Sequence, residues 1–127
     1  MGVGRHRLAR IVDGLGHLAE VAVTAEPAAQ NAVTPGPDPY GWRREVYGPS
    51  ARVTGPDEDR MLAEALEGAA LALAALSGGG RFHVTVVEVL DTPADTCPGD
   101  VRVAAAHATA EAVGGELGDV WFTRPGA

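Results

Sequence analysis

The feature that most restricts how this chain can fold is the run from Phe82 to Leu90 together with the loop and helix behind it. Phe82, Val84 and Val86 alternate with His83, Thr85 and Val87, and Val89 and Leu90 close the run. Period-two spacing in β-branched residues predicts a strand buried on one face. The polar stretch Asp91-Thr92-Pro93-Ala94-Asp95-Thr96-Cys97-Pro98 must then be a loop. Beyond it, Val101, Ala105, Ala108 and Ala112 are spaced four, three and four apart. That is one stripe of a helix over about Gly99 to Val113, with Thr96 as its expected N-cap. A helix whose buried stripe is nearly all alanine can lie close to a sheet.

Upstream, residues 1–12 read as a polar-edged strand. Asp13-Gly14 and Gly16 supply a turn, because such residues readily adopt positive φ. Leu18 to Ala25 places Ala19, Val21, Val23 and Ala25 on one face, a second half-buried strand. The four prolines between Pro27 and Tyr40 suggest a mobile loop over about 27–40. Gly41 to Gly48 reads as a short returning strand with Trp42, Arg44 and Val46 on one face. The acidic cluster Asp57-Glu58-Asp59 opens a helix to about Leu76, its stripe Leu62, Leu66, Ala69, Leu73 and Leu76. Gly78 to Gly80 ends it, and Asp119 to Thr123 reads as a short last strand. The expected architecture is an α/β (α+β) two-layer sandwich: one mixed sheet of about four strands with two helices on one face.

Length and charge bound the functional classes. At 127 residues the chain is expected to be a single domain, 1–127, with a core poor in aromatics, which make up 5% of residues. Its one cysteine excludes an internal disulfide, and no apolar run suits a signal peptide or membrane span, so the expected setting is soluble and cytoplasmic. Net charge is -7, and all the fixed cations are arginines. Six of those ten arginines but only five of the seventeen acids precede Thr54. Nucleic acid could therefore be held only through a local patch drawn from Arg5, Arg7, Arg10, Arg43 and Arg44.

Two stretches resemble domain IV of elongation factor G. Gly14-Leu15-Gly16-His17-Leu18-Ala19-Glu20-Val21-Ala22-Val23 is similar to that domain's Gly-x-Gly-Gln-aromatic-Gly/Ala-His-Val segment, and Arg10 matches an arginine ahead of it. Asp95-Thr96-Cys97, followed by Val101-Arg102-Val103-Ala104-Ala105, resembles its Asp-Ser-Ser loop and Ala-Phe-Lys-x-Ala-Ala helix. The resemblance covers most of the chain and rests on short motifs. It implies the ribosomal protein S5 domain 2-like fold, including a left-handed crossover, and a tip of two loops that touches RNA on the ribosome. By position the tip residues are Arg10, Asp13, Gly14, Gly16 and His17 in one loop and Asp91, Thr92, Asp95 and Thr96 in the other. Thr92 stands where the family has a histidine, Pro93 comes next, and no P-loop or other GTPase motif is present.

For chemistry, Cys97 at an expected helix N-terminus and Asp95 beside it are the candidate catalytic groups, although Asp91, Asp95 and Asp100 disfavour a thiolate. Asp91 and Asp95 could form an acid/base pair, or simply shape the turn. His6, His17, His83 and His107 lack metal-type spacing, so neither metal nor cofactor is expected. Three readings are open: a non-catalytic binding module for the ribosome, RNA or a protein surface; a small enzyme or small-molecule-binding protein with its site around His17, Asp91, Asp95 and Cys97; or an oligomeric scaffold.

Overall fold

β1 (Gly2–Val12) and β2 (Leu15–Pro27) form a hairpin through the turn Asp13-Gly14, with Val12 opposite Leu15 and Gly2 opposite Ala25. Both turn residues have positive φ, 52° and 78°, the backbone that matches the twist of flanking strands. The computed structural model describes residues 1–76 and 79–118. β4 (Phe82–Asp91) pairs antiparallel with β2, and β3 (Ala32–Pro35) pairs parallel with β4. The result is one mixed sheet of four strands in the order β1-β2-β4-β3.

One face of this sheet carries the core. Leu8, Ala19, Val21, Val23, Ala25, Val84, Val86 and Val89 point into it and are buried. The pairing slips between Ala22 and Val23, opposite Glu88 and Val86, leaving Val87 as an extra residue. That bulge explains the doubled valine: period two places Val84 and Val86 inward, and the insertion returns Val89 to the same face. Val87 is exposed.

Two helices, α2 (Pro56–Ala75) and α3 (Asp100–Ala112), cover that face. The alanine stripe of α3 is buried as expected, with Val103, Ala104, Ala106 and Thr109 buried as well. Small residues set the spacing between layers. A Cβ on Gly4 would lie 1.8 Å from the Ala108 carbonyl oxygen, and one on Gly68 would lie 2.1 Å from the Arg102 carbonyl oxygen. Only glycine permits α3 to touch β1 there, and α2 to touch α3.

Four local expectations need correction. Residues 41–48 are not a strand: α1 (Trp42–Tyr47) is a short helix. The β2 strand along which it was expected to return has no free edge, because β1 and β4 flank it on both sides, and residues 36–42 bond to β4 instead. Gly36 N–H donates to the Val86 carbonyl, Val89 N–H donates to Pro39, and the Trp42 indole donates to Val89. The proline-rich segment holds β3 rather than a continuous loop. Pro35 is tolerated because β3 is an edge strand, and Asn31 anchors the segment by accepting the Phe82 N–H.

The N-cap of α3 is Gly99, at φ 91°, rather than Thr96, whose hydroxyl is used elsewhere. Finally, Ala69 and Leu73 of the expected α2 stripe are buried, but the buried line continues through Met61, Ala65, Gly68 and Ala72, while Leu62 and Leu66 flank it half-buried. Close approach to α3 favours the small residues at the centre of that contact. Ser77, Gly78 and the expected strand at 119–123 lie outside the described residues. No helix among the described residues is long and apolar enough to cross a membrane.

Candidate functional site

The two segments expected to form a tip do meet. Leu18 N–H donates to the Asp95 carbonyl at 2.9 Å, and the Thr96 hydroxyl donates back to the Leu18 carbonyl. The same hydroxyl accepts the Thr92 N–H at 2.8 Å. One side chain thus closes the 92–96 turn and fastens it to β2. Asp95 and Thr96 both donate their N–H groups to the Thr92 carbonyl, completing the turn. Gly16 lies under Asp95, where a Cβ would come within 3.0 Å of its carboxylate.

Beneath the tip, the His17 ring and Asp100 lie 2.8 Å apart, Nδ1 to Oδ1. His17 is on the core-facing side of β2, and Asp100 is the first residue of α3; both are nearly buried. The other Asp100 oxygen accepts the Cys97 N–H at 2.7 Å, and the Cys97 thiol donates to the Gly16 carbonyl at 3.3 Å. Desolvation pushes the Cys97 thiol pKa up, and Asp100 and Asp95 add to the effect. This is the opposite of what an activated nucleophile requires.

The outer end of the tip is apolar and acidic. Ile11 is 79% exposed and Leu15 55% exposed, with Val12 and Asp13 beside them. Arg10, opposite His17 in the hairpin, is exposed and engaged in an interaction of its own.

A cleft of about 480 Å³ opens beside the second loop, lined among others by Arg43, Glu58, Met61, Glu64, Asp91 and Cys97. Arg43 reaches into it from α1. It donates to Glu58 and Asp91, each at 2.7 Å, and to the Arg52 carbonyl at 3.0 Å. Its guanidinium also lies 4.6 Å from the centre of the Tyr40 ring. The Arg43 hydrogen bond holds the Glu58 carboxyl below the usual range against the opposing effect of burial. Burial raises Tyr40, and it also raises Glu64, which accepts the Gly99 N–H at 3.0 Å.

Asp91 therefore belongs to the Arg43 cluster, while Asp95 sits over Gly16, and the two do not form an acid/base pair. Nor do Arg43 and Arg44 share a strand: Arg44 pairs with Asp38 on the surface. Sequence reasoning passed over Asp100 as a site residue and missed the Arg43–Glu58–Asp91 cluster altogether. The only local signal for Asp100 is a carboxylate in the first turn of a helix, which ordinarily reads as a dipole partner.

The chain matches no family model and no curated protein. Among solved structures, it is similar to the crystal structure of a protein from Thermus thermophilus, with a TM-score of 0.59 and 15% identity. The match covers 85% of this chain but only 15% of the Thermus chain. At that identity the likeness establishes a shared fold and nothing more.

Proposed function

We propose that the chain is a non-catalytic binding module of the elongation factor G domain IV type, with the ribosomal protein S5 domain 2-like fold, working in the cytoplasm. Its tip docks on a protein surface. The observation that carries this reading is the junction at Thr96: one hydroxyl closes the second loop and fastens it to Leu18, directly behind the first loop, while Ile11, Val12 and Leu15 stand exposed at the hairpin end so braced. Exposed apolar residues on a preorganised support are what a docking surface needs. The chemistry of that end favours protein over RNA. Phosphate binding depends on cations, and the two tip loops carry Asp13, Asp91 and Asp95 against one arginine, Arg10.

The experiment is co-sedimentation with ribosomes at low and high salt, using the wild type and an Ile11→Asp/Leu15→Asp double variant. Both positions are exposed, so the variant is expected to fold. Docking on a ribosomal protein predicts binding that persists at high salt and is lost in the double variant. Steep loss with salt, unaffected by the double substitution, would make the tip an RNA reader instead. Failure to sediment at either salt would remove the ribosome as partner.

A small enzyme is the second reading, favoured by Cys97 lining the cleft with His17 and Asp100 beside it. It is the weaker one, because the thiol is hydrogen-bonded to a carbonyl and Asp91 is bound to Arg43.

A further inference from the structure

Beyond docking at the tip, the structure assigns a zinc-binding site to Cys97, His17 and Asp100. A thiol, an imidazole nitrogen and a carboxylate oxygen, one from each residue, all lie within 4.8 Å of one another. Around tetrahedral zinc, ligand atoms of these kinds sit about 3.3–3.6 Å apart, given bond lengths of about 2.0–2.3 Å. His17 and Asp100 begin at 2.8 Å, slightly too close. Movements of about 1 Å would therefore complete the set. A mixed sulfur, nitrogen and oxygen donor set suits a borderline cation such as zinc better than magnesium or calcium, which take oxygen ligands.

Three further features fit a metal centre. The ligands come from different parts of the fold: His17 from β2, Cys97 from the loop, Asp100 from the start of α3. Their supports are already in place, because the Asp100 oxygen that is not directed at His17 accepts the Cys97 N–H at 2.7 Å, which orients the carboxylate. Access exists as well. Asp100 and His17 are nearly buried, but Cys97 lines the 480 Å³ cleft, so the fourth position would face that opening and take water or a small ligand.

As a structural arrangement, His17 and Asp100 already satisfy each other, and the thiol has no share in that pair. Cys97→Ser therefore separates a metal site from a packing contact. The test adds Zn²⁺ or Co²⁺ alone to the metal-free protein and reads stoichiometry by calorimetry and the thiolate-to-cobalt charge-transfer absorption by spectroscopy. Binding of one metal per chain is expected, with the charge-transfer band present in the wild type and absent in Cys97→Ser. Zinc affinity in that variant should fall at least about tenfold, and circular dichroism should remain unchanged. Asp100→Asn should weaken binding similarly; if it unfolds, Cys97→Ser decides alone. Absence of the band, zinc binding unaffected by Cys97→Ser, or one metal per two chains would each overturn the assignment.

Discussion

Arg43 donates to Glu58 at 2.7 Å from one guanidinium nitrogen while the other holds Asp91 at the same distance, joining α1, α2 and the end of β4. All three side chains are largely withdrawn from solvent; that of Arg43 is 12% exposed. Desolvating them is costly, and the cluster is stable because each charge faces its opposite.

Removing Arg43 takes away the guanidinium that both buried carboxylates bond, and leaves Glu58 only the weaker through-space attraction of Arg52. Arg43→Ala is expected to lower unfolding free energy by about 3–5 kcal/mol. Arg43→Lys should recover only part of this, because an ammonium does not present the same planar fork to two carboxylates. Urea denaturation of the three proteins checks the order.

Gly4 tests the contact between layers. Gly4→Ala puts a methyl 1.8 Å from the Ala108 carbonyl oxygen, so α3 must move off β1. A loss of about 1–3 kcal/mol or more is expected. Gly14→Ala, in open space but at φ 78°, should cost about 1 kcal/mol from backbone strain alone. Thermal melts of the two variants separate crowding from strain.

Acid should destabilise the fold in two stages. His6, half-buried and stacked on His107 at 4.8 Å, has its pKa drawn below the ordinary 6.5 by burial, with Glu111 opposing. A depressed folded pKa means that its contribution is complete above pH 6.5 and is lost as the pH falls through the folded value. Glu58, held low by Arg43, adds a second loss starting below its ordinary 4.5. His6→Gln should abolish the first stage and spare the second, as monitored by unfolding at a series of pH values.

At the tip, Thr96→Val removes one hydroxyl that donates to the Leu18 carbonyl and accepts from Thr92. Leaving both backbone groups unpaired should cost about 1–3 kcal/mol. Hydrogen exchange should quicken first at Thr92, while protection at Val21 and Val84 in the core is retained.

What could be read from the chain was whatever repeats locally. Ala19, Val21, Val23 and Ala25 alternate because β2 has one buried face, and Val101, Ala105, Ala108 and Ala112 recur because α3 does. The hairpin turn was equally legible, since Asp13-Gly14 is suited to positive φ. Trp42 to Tyr47 was not: six residues fit either period, and the choice rested with β2, whose two edges are taken by β1 and β4. β3 was hidden by its own Pro35, which an edge strand tolerates, and by the prolines on either side of it.

The sequence by itself determined the strands and helices that carry a periodic apolar face, and thereby the two-layer sandwich. The tertiary structure alone decided which polar groups meet. His17 and Asp100 are 83 residues apart, and Arg43 and Asp91 are 48 apart. Burial is encoded in the spacing of neighbours along the chain, whereas a charge or hydrogen bond between distant residues exists only once packing has brought them together.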